Sequence, residues 1–238
     1  MIIDSDFPVV DIHLTVWNSS SSPRDFTHDY LQAAAYIVRA NIGSIGTVDS
    51  LAYWTFTDVF EEGGAGDTIF HGGFGMINYQ GIVKPSYHAY QFLSQLGDEL
   101  LDRSASSVLT RHRSTGKLAA LAWHYPPEMP LSVPASFDTR DKAKEVLDLG
   151  SDEILKIDLA GLTPHAVFHA EVLDRGHGNA MTAWETMGSP EPPSREQTAA
   201  LRDAARATKK LTLTADGEGS LQAEILISPW AVLLLREE

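Results

Sequence analysis

Four side chains within one short stretch carry the means for acid–base or ligand-binding chemistry: Trp54, Asp58, Glu61 and Glu62. Carboxylates accept hydrogen bonds, hold cations or move protons, and an indole face beside them stacks on a ring. The four leave a short apolar and aromatic run, Leu51-Ala52-Tyr53-Trp54-Thr55-Phe56, and are followed by Gly63 and Gly64. Such a run has the composition of a buried strand. A strand that releases an aromatic ring and several carboxylates at its C-terminal end suits an open α/β active site or a sugar subsite. The same residues also suit a plainer arrangement, with Trp54 in a core and the acids on a solvated loop.

Other constellations are weaker. His165 and His169 lie four apart at or beside an expected strand, which is metal-ligand spacing with no acidic or cysteine partner fixed nearby. They read as surface or sheet-face histidines, and no metal site is expected. Gly72-Gly73-Phe74-Gly75 lacks the Lys-Ser/Thr of a phosphate loop and the spacing of a dinucleotide fingerprint, so it reads as a tight turn and implies no cofactor. Gly176-His177-Gly178 reads as another turn, and no serine has a nucleophile-elbow context.

The elements that must position Trp54 and the acids follow from periodicity. Residues 1–9 read as a loop, and Val10 to Val16 alternates apolar and polar as a strand, stopped by the turn-formers from Trp17 to Pro23. Thr27 to Ala40 is helical, with Tyr30, Ala34, Ile37 and Val38 on one face. Val48 to Thr57 is the second strand, and a second helix runs from Pro85 to about Leu96. Strand, helix, strand, helix implies parallel β/α units, and two parallel strands cannot bury both faces alone. After Leu101 seven short strands separated by turns are expected: 108–112, 117–125, 153–159, 166–173, 210–214, 221–227 and 230–235. Ser194 to Ala207 is the one strong helix among them, with Ser194 as its cap. The expected fold class is therefore α/β plus all-β, divided into residues 1–100 and an antiparallel β-sandwich over 101–238.

Composition narrows the partners. An apolar fraction of 43% with 21% charged residues describes a folded soluble protein. Cysteine is absent, which excludes disulfides and thiolate metal sites. The net charge is −14; residues 1–100 hold 3 basic and 12 acidic side chains. Such a field repels phosphate backbones and anionic lipid, so neither nucleic acid nor membrane is an expected partner. No apolar run approaches the ~18 residues of a membrane span. The N-terminus lacks a basic region and an apolar core, so neither a signal peptide nor a location other than the cytoplasm is expected.

Four motifs in order carry a resemblance. Leu14-Thr15-Val16-Trp17-Asn18-Ser19-Ser20, Tyr53-Trp54-Thr55-Phe56-Thr57-Asp58-Val59-Phe60-Glu61-Glu62, Phe70-His71-Gly72-Gly73-Phe74-Gly75 and Lys84-Pro85-Ser86-Tyr87-His88-Ala89 resemble glycoside hydrolase family 39, the β-xylosidase family. The likeness runs through residues 8–100, and the strands after them agree with the family's accessory domain. It implies that residues 10–16 and 48–57 are the seventh and eighth strands of a (β/α)8 TIM barrel. It implies further that Trp54 lines a sugar pocket, that Glu61 and Glu62 bind sugar hydroxyls, and that Trp17, Asn18 and Asp58 support them. The implied partner is a xylose-type sugar or xylo-oligosaccharide.

Two departures bear on activity. The family motif on the seventh strand reads Thr-Glu-Trp-Asn, its Glu being the nucleophile, and here that position is Val16. The family's acid/base Glu lies on the fourth strand, and the resemblance implies that this chain begins just before the seventh and so is expected to lack it. A retaining glycosidase needs both carboxyl groups about 5–5.5 Å apart. The resemblance thus implies the C-terminal part of a β-xylosidase-like enzyme without its catalytic pair, or a noncatalytic carbohydrate-binding or interaction protein derived from it. Open sheet edges would favour self-association or a complementary chain carrying the other strands.

Overall fold

The structure, a computed structural model, describes residues 10–60, 62–129 and 137–238. The loop expected over residues 1–9 lies outside them, as does Glu61.

The chain opens with β1 (His13–Trp17), a 3-10 turn (Phe26–Asp29), α1 (Gln32–Gly43), β2 (Ser50–Tyr53) and α2 (Pro85–Leu93). β1 and β2 pair in parallel, His13 opposite Ser50 and Trp17 opposite Tyr53, with an irregularity between Leu14 and Trp17. Both strands are shorter than their patterns predict. Past Trp54 the backbone leaves β1 and bonds instead to residues 74–77: Thr55 N–H donates to the Phe74 carbonyl at 3.2 Å and Asp58 N–H to that of Ile77 at 2.9 Å. The single helix expected from Thr27 is also divided. Asp25 caps the 3-10 turn by accepting from Thr27 N–H, and Tyr30 is extended, so α1 begins only at Gln32.

Eight strands follow, one more than expected: β3 (Glu99–Arg103), β4 (Ser107–Arg111), β5 (Leu118–Trp123), β6 (Glu153–Leu159), β7 (Val167–Leu173), β8 (Lys209–Thr214), β9 (Leu221–Ile227) and β10 (Val232–Glu237). Six form one antiparallel sheet in the order β3-β4-β5-β10-β7-β8, and β6 pairs with β9 apart from it. Period-two alternation divides β10 between two cores. Val232 and Leu234 face the cluster built by α1 and α2, with Leu121 and Trp123 of β5. Leu233 and Leu235 face the cluster that β9 completes with Leu221, Ile225 and Ile227. The central sheet is thus covered by helices on one face and by the β6–β9 pair on the other.

Ser194 to Ala207 is not the sole helix of this half. α3 (Arg140–Leu147) and α4 (Ala180–Thr186) precede α5 (Arg195–Arg206), each capped by the side chain before it: Thr139, Asn179 and Ser194. These helices pack against the first hundred residues. Met181, Trp184 and Leu201 share a buried cluster with Tyr30, Phe70 and Ile82. The Arg140 guanidinium lies over the Phe26 and Trp184 rings at 5.2 and 4.8 Å and donates to the Phe70 carbonyl at 3.0 Å. The glycine-rich segment therefore rests on a floor supplied by residues far along the chain.

Candidate functional site

The parallel pair ends in a hollow. Its volume is about 320 Å³, and Val16, Asn18, Ser20, Trp54, Glu62 and Phe74 are among the residues that line it. β1 delivers Val16 to it, 63% exposed. The next residue turns away: the Trp17 ring also borders the hollow but packs on Tyr36 of α1 at 6.2 Å and edge-on against Tyr53 at 5.8 Å. Asn18 then ties the two strand ends together. Its amide donates to the Trp54 carbonyl, its side-chain oxygen accepts from Ser19 N–H at 2.6 Å, and Trp54 N–H donates to the Trp17 carbonyl at 2.9 Å. Trp54 is half-buried, with Phe60 edge-on at 5.0 Å. Desolvation raises the pKa of the Tyr53 hydroxyl, with the Lys84 ammonium partly opposing, so it stays neutral.

The acids of this stretch are not equivalent. Glu62 is exposed and lines the hollow. Asp58 is 2% exposed and its carboxylate is taken: Oδ2 lies 2.7 Å from Lys84 Nζ, and Oδ1 accepts from Gly75 N–H at 2.7 Å. Lys84 Nζ also meets Asp29 Oδ1 at 2.6 Å and donates to the Gly73 carbonyl at 3.0 Å, while Asp29 Oδ2 accepts from Gly72 N–H at 2.6 Å. All three side chains are fully buried. Burial by itself would lower the Lys84 pKa; the two carboxylates outweigh it and raise the value, so the ammonium stays charged. His28 adds a neutral contact: its Nδ1 lies 3.0 Å from the Gly72 carbonyl, and desolvation lowers its pKa despite the pull of Asp25.

This cluster shows why 72–75 is glycine-rich. A Cβ on Gly73 would stand 2.5 Å from Asp58 Oδ1, and one on Gly75 would stand 2.2 Å from Asp58 N. Gly72 has a φ of 76°, a conformation open to glycine at no steric cost. The segment is a clamped backbone crossing rather than a free turn.

The histidines lie elsewhere. His169 on β7 faces Glu238 at 3.6 Å, and His165 occupies a turn with a φ of 62°. Among the described residues no group of three or more histidines and acids is placed to hold a metal ion, and no helix is long and apolar enough to cross a membrane. His177 sits in a turn against Asp174, its Nδ1 2.9 Å from the carboxylate.

Comparison with known proteins decides the ancestry. The family profile of glycosyl hydrolases family 39 matches residues 1–222. The chain belongs to glycoside hydrolase family 39. Beta-xylosidase from Geobacillus stearothermophilus is 36% identical over 205 residues, which cover 82% of this chain and 35% of that protein. Beta-xylosidase from Caldicellulosiruptor saccharolyticus is 34% identical over 193 residues, covering 78% and 36%. This family 39 chain therefore spans about one third of the curated relatives it matches. Solved structures matched over the whole of it include a GH39 enzyme from Xanthomonas axonopodis pv. citri, with a TM-score of 0.83, 28% identity and 46% of that chain matched, and a monomeric beta-xylosidase from Caulobacter crescentus, at 0.82, 30% and 47%.

The residues that pattern reading did not single out as a group are Asp29 and Lys84. Lys84 is one of only 3 basic residues in the first hundred, beside 12 acids, and that scarcity was the available signal.

Proposed function

We propose that this chain is the C-terminal part of a β-xylosidase-like family 39 glycosidase that keeps a sugar-binding wall and lacks the attacking carboxylate. On this reading β1–α1 and β2–α2 are the seventh and eighth units of a (β/α)8 barrel, and β3 to β10 are the β-sandwich accessory domain. A xylose-type sugar or xylo-oligosaccharide stacks on Trp54, and Glu61 and Glu62 accept from its hydroxyls through charge-assisted hydrogen bonds.

Val16 carries the proposal. It stands exposed in the hollow, and the likeness of Leu14-Thr15-Val16-Trp17-Asn18 to the family motif supports reading it as the nucleophile position. The retaining reaction attacks the anomeric carbon with one carboxylate while a second carboxyl protonates the leaving oxygen. Valine has no lone pair, so the glycosyl-enzyme has no route here. Glu62 is the one carboxylate lining the hollow among the described residues, and a single carboxylate cannot fill both roles. Binding without cleavage is the activity that this favours for the chain by itself.

The test is turnover of an aryl β-xyloside by four preparations: the chain alone, the chain mixed with a polypeptide carrying the family's first six β/α units, and each of these with Val16→Glu. Turnover only where both changes are present is expected. Turnover by the unmodified chain would overturn the proposal.

A further inference from the structure

The hollow and the buried ionic cluster are joined by one short stretch of backbone. Residues 72–75 have no helix or strand to hold them. They are fastened instead at three of four positions by the cluster: Gly72 N–H to Asp29, the Gly73 carbonyl to Lys84, and Gly75 N–H to Asp58. Phe74, between the fastened residues, lines the hollow. Its carbonyl accepts from Thr55 N–H at 3.2 Å, and Met76 N–H donates to the Thr55 carbonyl at 3.1 Å. Thr55 is bonded directly to Trp54.

We propose that Lys84, with Asp29 and Asp58, is the positioning group of the hollow, setting Phe74 and through Thr55 the plane that Trp54 offers to a sugar. The claim deepens the sugar-binding reading and names Asp58 as a residue that acts through others.

Two physical arguments support more than a fold pin. Burying three charges is costly, and apolar residues of similar volume often serve stability as well or better, so stability alone does not account for the cluster. Its geometry is also directional. Each carboxylate spends one oxygen on the ammonium and the other on a backbone N–H, fixing residues 72 and 75 to two separate places, the 3-10 turn and the turn that follows β2. An apolar plug would leave those N–H groups free to choose other partners. Lys84 holds its own place because Pro85 opens α2 directly after it.

The test uses the whole chain labelled with 5-fluorotryptophan, which places one fluorine on each of its five tryptophans. Trp54→Phe assigns the relevant one. Asp58→Asn keeps an acceptor for Gly75 N–H while weakening the grip on Lys84; Lys84→Met removes the hub. The expected result is a displaced or broadened Trp54 resonance in both variants, unchanged Trp184 and Trp230 resonances, and xylobiose affinity lowered on the order of tenfold. If Lys84→Met does not fold, Asp58→Asn decides alone. A folded Asp58→Asn protein with a lower melting temperature but an unmoved Trp54 resonance would overturn the positioning role. Failure of the unmodified chain to bind xylobiose would instead count against the sugar-binding reading, while the resonance comparison would still judge the positioning claim.

Discussion

Asp58 and Glu62 follow the same strand, four positions apart, and finish in opposite environments. Asp58 is buried against an ammonium and a backbone N–H; Glu62 stands in solvent on the rim of a hollow. The chain thus uses one acidic run for two tasks. A buried carboxylate with every oxygen occupied has no capacity left for a ligand. An exposed one beside a half-buried indole keeps its lone pairs available. What separates them is the buried lysine at position 84, delivered by a different element.

The sharpest way to break this contrast is to remove that lysine. Lys84→Met should lower unfolding stability by about 3–5 kcal/mol in urea denaturation, because it leaves two buried carboxylates without their cation. Glu62→Gln should stay within about 0.5 kcal/mol of the unmodified chain, as an exposed side chain away from special features does. Comparable losses from the two substitutions would erase the distinction.

A smaller effect is expected from the loop that the lysine holds. Gly75→Ala places a methyl 2.2 Å from Asp58 N, so strand and loop must part, at about 1–3 kcal/mol. Gly43→Ala, with nothing within 4 Å, serves as the control and should change the melting temperature little.

Acid should weaken the buried region first. Desolvation lowers the pKa of His28, and of His88 on α2, below the ordinary 6.5. Between that lowered value and 6.5 the unfolded chain binds more protons than the folded one. The stability these imidazoles allow is complete above pH 6.5 and falls as pH drops through the window. Lys84 has the opposite sign: its raised pKa makes its contribution complete below 10.5 and lost only as pH climbs beyond that. Melting temperatures measured across pH 4–8 on the unmodified chain and on His28→Gln would show the acid slope shallower in the variant.

The two regions differed equally in how far the sequence revealed them. Trp54 and the acids were legible because aromatic and acidic residues follow one another at a strand end, so local composition carried the signal. β6 and β8 were legible through period-two alternation at Leu155, Ile157 and Leu159 and at Leu211 and Leu213, and α5 through Ser194 at its start. The ionic cluster had no such local trace, since residues 29, 58 and 84 meet only after α1, β2 and α2 have packed. β3 escaped notice because Glu99–Arg103 is largely exposed and does not alternate. α3 and α4 are short, and their length hid them although Thr139 and Asn179 stand at their starts. The division of the first helix was written in Asp25, whose cap on Thr27 favours a tight turn before α1.

The central claim is that the hollow receives a sugar through Trp54 and does not cleave it. Its most direct test is calorimetric titration of xylobiose into the unmodified chain and into Trp54→Ala, with free xylose followed as a possible product. The account predicts saturable heat with the first, none with the second, and no xylose released. Equal binding by both proteins, no saturation by either, or steady release of xylose would contradict it.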